Sequence, residues 1–217
     1  MHGKTVVLTL ALAFAPLAHG NEFSGARALE YTRQAVAFGP RPPGSPAIHK
    51  LRAYIARQLK LRGCEITPDS FNAKTPNGPV AMENIIAKFP GTSGKAVVFS
   101  GHYDTKLQPN FVGANDGGSS TGFLLAMAEA LQGTARKDDI YIVFLDGEEA
   151  FNQWTDTDSL YGSRHLAEKW ATDGMASRIK ALINVDMIGD KDLQLLFDGE
   201  SAASIRKIIW DTADRLG

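Results

Sequence analysis

Residues 97–104 read VVFSGHYD, and residues 140–149 read IYIVFLDGEE. In each stretch an apolar run ends in polar residues that can bind a metal or transfer a proton. Short apolar runs of this kind are typical of strands in a sheet that is covered on both faces. A third run, residues 181–185, has the same form and leads into Asp186. Because ligands bind at the carboxyl ends of such strands, the three strand ends predict one shared site.

Helical and strand patterns alternate along the rest of the chain. Helical spacing of apolar residues predicts helices over residues 25–38, 47–62, 119–131 and 202–216. Further strands are predicted over residues 84–89 and 193–197. The alternation predicts an α/β fold, a three-layer αβα sandwich with a mixed, mostly parallel central sheet.

The composition excludes several classes of protein. The chain has 217 residues, 44% of them hydrophobic and 22% charged, with a formal net charge of −1. Disordered chains have low hydrophobicity and high net charge, so disorder is excluded. Nucleic-acid-binding proteins are strongly basic, so no nucleic-acid partner is expected. The single cysteine, Cys64, excludes an internal disulfide and a cysteine-rich zinc site.

The first twenty residues resemble a secretory signal peptide. A positive start, MHGK, precedes the short apolar run Val6–Ala15, and small residues stand before a cleavage point at Asn21. The run is too short to span a membrane. We therefore expect a signal peptide over residues 1–20, a single catalytic domain over residues 21–217, a secreted or periplasmic location, and no membrane association after cleavage. The alternative is a buried or interfacial helix.

The polar residues at the predicted strand ends include one histidine and several carboxylates. His102 and Asp104 are two residues apart, so both can face the same side of a strand. Asp116 precedes two glycines, which let the backbone approach a bound ion closely. Of the adjacent Glu148 and Glu149, one can bind a metal while the other serves as a general base. Zinc accepts both carboxylate oxygen and imidazole nitrogen.

Each of these motifs taken alone is more often structural. An HxD pair usually supports a strand end, adjacent glutamates usually lie on a solvated face, and an aspartate after a strand usually forms a turn. Their occurrence together, at successive strand ends, favours a functional site.

Four motifs, GHYDTK, VGANDGGSS, FLDGEEAF and NVDMIGD, occur in this order and resemble the zinc aminopeptidases of the co-catalytic type. The longer stretch FLDGEEAFNQWTDTDSLYGSRHLA resembles the glutaminyl-peptide cyclotransferases, or glutaminyl cyclases, of the same superfamily. In this chain 12 residues separate Glu149 from Gly162, where the aminopeptidases have a short stretch. The resemblance spans residues 25–190 and implies a zinc exopeptidase-like fold.

The resemblance also implies a zinc cofactor and its ligands. Asp116 and Glu149 correspond to zinc ligands of the family, and His102 completes the predicted metal-binding set. In the two-zinc arrangement of the aminopeptidases, Asp116 would bridge the metals, and His102 and Asp186 would bind one metal each.

The same resemblance implies catalytic and substrate-binding residues. Glu148 corresponds to the general acid/base, and Asp186 to a second carboxylate at the reaction centre. Trp154 corresponds to a residue that lines the pocket for the glutaminyl side chain, and Phe151 is predicted to bind substrate with it.

The implied activity is cyclisation of N-terminal glutaminyl residues of peptides or proteins to pyroglutamate, with release of ammonia. The first alternative is a zinc aminopeptidase that hydrolyses N-terminal peptide bonds. Both families carry a last zinc-binding histidine beyond the terminal helix, and no histidine follows His165 here. We therefore expect a C-terminally incomplete sequence, and a second alternative is an inactive, truncated peptide-binding remnant.

Overall fold

A computed structural model describes residues 22–195 and 199–216, and the predicted signal peptide lies outside these ranges. Eleven elements follow one another in the described residues. The helices are α1 (Gly25–Val36), α2 (Pro46–Lys60), α3 (Gly118–Ala130), α4 (Tyr161–Thr172) and α5 (Ala203–Leu216), with a 3-10 turn at Met175–Arg178. The strands are β1 (Glu65–Thr75), β2 (Gly78–Phe89), β3 (Ala96–His102), β4 (Asp139–Leu145) and β5 (Ile179–Asn184).

The strands form one five-stranded sheet in the order β1-β2-β4-β3-β5. β1 pairs with β2, and β2 with β4, in antiparallel fashion. β3 pairs with β4 on one side and β5 on the other, both parallel. The predicted mixed sheet is therefore confirmed. Its parallel half consists of the three strands whose polar ends the sequence singles out, so those ends lie at the same edge.

Helices cover both faces of the sheet, as the sequence predicts for a three-layer sandwich. Helices α1, α2 and α3 form one core with alternate residues of the strands, including Ile142 and Phe144 of β4. Helix α4 packs on the opposite face, where Leu166 and Trp170 contact the intervening residues, including Val143. Within the described ranges, no helix has both the length and the apolar character that crossing a bilayer requires.

Two features of the sheet differ from the sequence prediction. Strand β1 is not predicted, because Pro68 and several polar residues make it resemble a loop; β1 lies at the edge of the sheet, where proline is tolerated. It forms a hairpin with β2, which therefore starts earlier than predicted, and Asn77 lies in the turn. The strand predicted over residues 193–197 is wrong in its described part, because residues 193–195 are irregular.

Helices α1 and α3 pack closely at Gly122. A Cβ atom there would overlap Thr32 Oγ1 and the carbonyl oxygen of Ala28, both on α1. We expect Gly122→Ala to lower the free energy of unfolding by about 2 kcal/mol, because a backbone carbonyl cannot move aside and overpacking outweighs the better helix propensity of alanine. Urea unfolding measures the change. Gly25→Ala is the control, since open space surrounds Gly25; equal stability of both variants would contradict the prediction.

Candidate active site

The edge of the sheet formed by the ends of β3, β4 and β5 brings one imidazole and several carboxylates together. His102 Nε2 lies 3.0 Å from Asp116 Oδ1 and 3.3 Å from Asp186 Oδ1. One ligand atom from each of these three residues lies within 4.8 Å of the other two. The side chain of His102 is only 2% exposed, whereas those of Asp116 and Asp186 are 26% and 39% exposed. The group is therefore anchored in the core and open toward solvent.

Asp104 connects the end of β3 to the residues that follow β4. Its side chain is fully buried. The backbone N–H of Glu148 donates to Asp104 Oδ1 at 3.1 Å, and that of Glu149 donates to Oδ2 at 3.2 Å. Oδ1 also lies 3.4 Å from His102 Nδ1. One carboxylate thus fixes both glutamates and faces the inner nitrogen of the imidazole, leaving Nε2 to the metal-binding side.

A glycine brings Asp116 up to the strand ends. Gly117 has a φ angle of +74°, which favours glycine. A Cβ atom there would overlap the carbonyl oxygen of Asp104 and would lie 3.1 Å from His102 Cε1. The glycine therefore lets the loop before α3 approach the end of β3.

The carboxylates of the site influence one another's protonation. Asp116 and Glu149 are within hydrogen-bonding contact. Burial and the neighbouring carboxylate raise the pKa of Glu149 to about 8, while the contact with His102 lowers the pKa of Asp116. Burial, together with the surrounding carboxylates and against the effect of His102, raises the pKa of Glu148 to about 7. Burial alone would lower the pKa of His102, but its carboxylate partners raise it well above the usual value.

This set of donors fits a divalent cation such as zinc. Carboxylates that contact one another repel when both are charged, and a bound cation removes that repulsion. Asp116 neighbours both Glu149 and His102, but the group whose ligand atoms all lie within 4.8 Å of one another consists of His102, Asp116 and Asp186, without Glu149. His102 and Asp116 are common to both predicted ligand sets, and Asp186 is the third member of the group in the structure. Imidazole nitrogen and carboxylate oxygen are ordinary zinc ligands.

A cavity of about 280 Å³ adjoins the cluster. His102, Glu148 and Asp186 line it together with apolar residues of β3, β4 and α4. Trp170 lines it as well but also belongs to the core beneath the sheet, where it packs against Tyr141.

The two residues predicted to bind substrate lie on the loop between Glu149 and α4. Trp154 is 57% exposed, which is high for the largest side chain. Phe151 is partly buried, and its ring packs edge-on against Tyr161 at a centroid distance of 6.0 Å. The loop therefore begins directly at the carboxylate cluster and presents an indole ring to solvent.

Arg41 is a residue of the site that the sequence analysis does not identify. It is fully buried, and its guanidinium donates to the carbonyl oxygens of Tyr103, Val112 and Gly113 at 2.9, 2.6 and 3.0 Å. Burial lowers its pKa to about 10, although nearby aspartates oppose this. Arg41 therefore organises the loop that carries Asp116. The signal available in the sequence is an arginine inside the proline-rich segment GPRPPGSP, residues 39–46.

The sequence profile of peptidase family M28 matches residues 84–217, which is more than half of the chain and includes every predicted site residue. The chain belongs to peptidase family M28. The fold of the M28 chain, with its acidic cluster at the ends of parallel strands, agrees with this membership.

The M28 chain is similar to several glutaminyl cyclases, which confirms the resemblance predicted from its motifs. The crystal structure of an Acidobacteriales bacterium glutaminyl cyclase is 39% identical, superimposes with a TM-score of 0.86, and is matched over 97% of this chain and 73% of that one. A Zn-dependent exopeptidase from Parabacteroides distasonis is 27% identical, with a TM-score of 0.78 over 91% of this chain and 74% of that one.

A curated relative is the glutaminyl-peptide cyclotransferase of Drosophila melanogaster. It is 34% identical over 190 residues, which are 79% of this chain and 54% of the relative. The M28 chain thus spans about half the length of this curated relative.

We expect Arg41→Lys to destabilise this M28 protein by about 2 kcal/mol or more. A lysine ammonium cannot reproduce the planar fork that serves three carbonyl oxygens, and buried acceptors without donors are costly. Chemical denaturation measures the loss. The matched control is Arg33→Lys, because the Arg33 side chain is 67% exposed and pairs only loosely with Glu30 at 3.8 Å. If the Arg41 variant unfolds at the same urea concentration as the control, Arg41 does not organise this loop.

Proposed function

We propose that this chain carries the catalytic site of a glutaminyl cyclase. Its substrates would be peptides or proteins with an N-terminal glutaminyl residue, and its products pyroglutamyl peptide and ammonia. The observation that carries the proposal is the loop that begins at Glu149 and presents Trp154. This loop adjoins the acidic cluster, which is suited to one cation, and Glu148, which stays free for proton transfer. The similarity to glutaminyl cyclases over 97% of the chain supports it.

Glu148 is assigned the proton transfer. In the reaction, the α-amino nitrogen forms a bond to the carbon of the side-chain amide, and the bond from that carbon to the amide nitrogen breaks. Glu148 accepts the proton lost by the α-amine and delivers it to the departing nitrogen, which leaves as ammonia. Nucleophile and electrophile belong to one residue, so their proximity comes from the substrate itself. Asp186, which lines the same cavity as Glu148, is assigned to support this proton transfer.

Asp116, Glu149 and His102 are the residues proposed to hold zinc. When bound, zinc supplies Lewis acidity toward the amide carbonyl oxygen, which makes the carbon more electrophilic. Asp104 fixes the backbone of both glutamates, so that Glu149 can bind zinc while Glu148 stays free for proton transfer. Trp154 and Phe151 are proposed to contact the glutaminyl side chain.

The second candidate function is that of a metallo-aminopeptidase. The grouping of Asp186 with His102 and Asp116, within 4.8 Å, favours it, because Asp186 is a metal ligand in the two-zinc arrangement that the resemblance implies. In that case Glu148 would take a proton from water for attack on the first peptide bond.

The two activities are separated by incubating the zinc-loaded protein with a glutaminyl peptide and, in parallel, with a leucyl peptide. We expect ammonia from the first and no free leucine from the second, with one tightly held zinc per chain. Free leucine and two zincs would support the aminopeptidase instead. Neither product, from a folded protein that retains no zinc, would support the peptide-binding remnant.

We also propose that residues 1–20 direct export and are removed, leaving one catalytic domain from residue 21. N-terminal sequencing of protein recovered from the periplasm or medium of a bacterial host tests this. The expected first residue is Asn21, and recovery of uncleaved protein from the cytoplasm alone would contradict it.

A further inference from the structure

We propose that Asp158 is a positioning residue that holds Trp154 in a fixed place relative to Glu148. The identity of the substrate that this loop contacts rests on the proposed function. The arrangement of the loop rests on its own hydrogen bonds, which concern residues outside the predicted metal ligands.

Asp158 collects the backbone N–H groups of the first part of the loop. Its side chain is almost fully buried, at 4% relative exposure. The N–H of Phe151 donates to Oδ1 at 2.8 Å, and those of Asn152 and Gln153 donate to Oδ2 at 2.8 and 3.0 Å. The hydroxyl of Tyr161 donates to Oδ1 at 2.8 Å. Both carboxylate oxygens are thus satisfied by the residues just before Trp154 and by the first residue of α4.

The loop is also closed at its base. The N–H of Leu160 donates to the carbonyl oxygen of Glu148 at 2.9 Å, and that of Tyr161 donates to the carbonyl oxygen of Gly147 at 2.8 Å. Leu160 has a φ angle of +53°, a conformation that a leucine rarely adopts, so the surrounding contacts must hold it there. Hence the end of the loop is attached to the backbone of the proposed proton carrier, Glu148, and of the residue before it.

An aspartate is suited to this position because every donor around it is neutral. Ionised carboxylates accept several N–H bonds at once, and such bonds are stronger than those between neutral groups. Burial alone would raise the pKa of Asp158, but the three backbone N–H groups and Tyr161 outweigh it and lower the pKa. Asp158 is therefore charged at neutral pH, and its charge is balanced by the loop itself.

After Trp154 the loop is held at Thr155, whose Oγ1 accepts from the Asp158 N–H at 3.0 Å and whose carbonyl oxygen accepts from the Ser159 hydroxyl at 2.8 Å. Before Trp154 the Asp158 carboxylate is the main support. Residues 152–157 are all exposed. Phe151 is the anchor on the apolar side, through its contact with Tyr161. Without the Asp158 carboxylate, several backbone groups would turn to water and the indole of Trp154 would sample many positions, so a substrate would have to order the loop on binding.

The test compares Asp158→Asn with the wild type and with Asp158→Glu. Asparagine keeps the size of the side chain but places an amide N–H against backbone donors. We expect it to raise KM for a glutaminyl peptide about tenfold while kcat changes less than threefold, since proton transfer at Glu148 is not altered. Glutamate restores the charge and is expected to recover part of the loss. Asp139→Asn is the matched control.

The control residue is an equally buried aspartate in a remote place, and its partners include charged side chains. Asp139 is also buried and accepts a backbone N–H, from Gly91 at 2.7 Å, and an arginine N–H, from Arg178 at 2.7 Å. It begins β4, whereas the site lies beyond the end of that strand. We expect Asp139→Asn to lower stability without changing KM, which separates a general loss of stability from a loss of positioning.

A double-mutant cycle tests whether Asp158 acts through Trp154. In a Trp154→Ala background, Asp158→Asn is expected to change KM less than twofold further, because the ring that it positions is absent. A full tenfold effect in that background, or an unchanged KM for Asp158→Asn alone, would overturn the proposal.

A second readout does not need activity. Trp154→Phe identifies the part of the fluorescence that comes from Trp154, and acrylamide quenching of that part is expected to increase in Asp158→Asn but not in Asp139→Asn. If the wild type releases no ammonia, the proposed function fails, and quenching still decides the inference: unchanged quenching in Asp158→Asn overturns it, and increased quenching supports it.

Discussion

Glu148→Gln is expected to lower kcat for ammonia release from a glutaminyl peptide about a hundredfold or more, the usual scale of a lost general acid/base. Glutamine has the shape of glutamate but cannot accept and return a proton. The backbone N–H of residue 148 would still donate to Asp104, so the site should keep its geometry. Steady-state kinetics measure the loss, and zinc content is expected to stay the same because Glu148 is not a proposed ligand.

The control for this variant is Glu129→Gln. Glu129 is a half-buried glutamate near the end of α3, where its Oε2 accepts from Arg62 at 2.9 Å. Its removal should weaken packing at that end and leave turnover as in the wild type. A Glu148→Gln enzyme with turnover within about threefold of the wild type would rule out the assigned role.

Asp104→Asn is expected to weaken zinc binding about 10- to 100-fold, the range seen when partners of metal ligands are changed. The asparagine oxygen can serve one of the two backbone N–H groups of Glu148 and Glu149, but its amide then faces the other donor. Losing that acceptor in a fully buried position is also expected to lower stability by about 2 kcal/mol.

Zinc affinity is measured by competition with a chromogenic chelator, and stability by denaturant unfolding of the metal-free protein. In the metal-free protein, the free energy of unfolding reports the lost hydrogen bonds to the backbone separately from the weaker zinc binding. An unchanged affinity in a variant of wild-type stability would mean that Asp104 does not hold the glutamates in place.

The convergence of the acidic residues could be predicted from sequence because it depends on strand ends. His102, Glu148, Glu149 and Asp186 all follow apolar runs, and parallel strands bring their carboxyl ends to one edge whatever the intervening chain does. Asp116 is predicted as a site residue from its place before two glycines, and Gly117 has a left-handed conformation that lets its loop pack against the end of β3.

The residues that support the site could not be predicted in the same way. Arg41 and Asp158 act through hydrogen bonds to backbone groups. Because nearly every residue has the same backbone carbonyl and N–H, the sequence does not show which of them a side chain binds. Asp158 lies among polar residues that look like an ordinary exposed loop. Strand β1 was missed for a related reason, since its pairing with β2 outweighs the weak strand propensity of its polar residues and Pro68.

The separation of the site residues along the chain has a consequence for how the protein matures. His102 and Asp186 meet across 84 residues, and their meeting depends on parallel pairing of strands that are not neighbours in sequence. Contacts of such long range form slowly, because a large loop must close before they stabilise anything. We therefore expect the cation site to form late in folding, together with the pairing of β3 and β5.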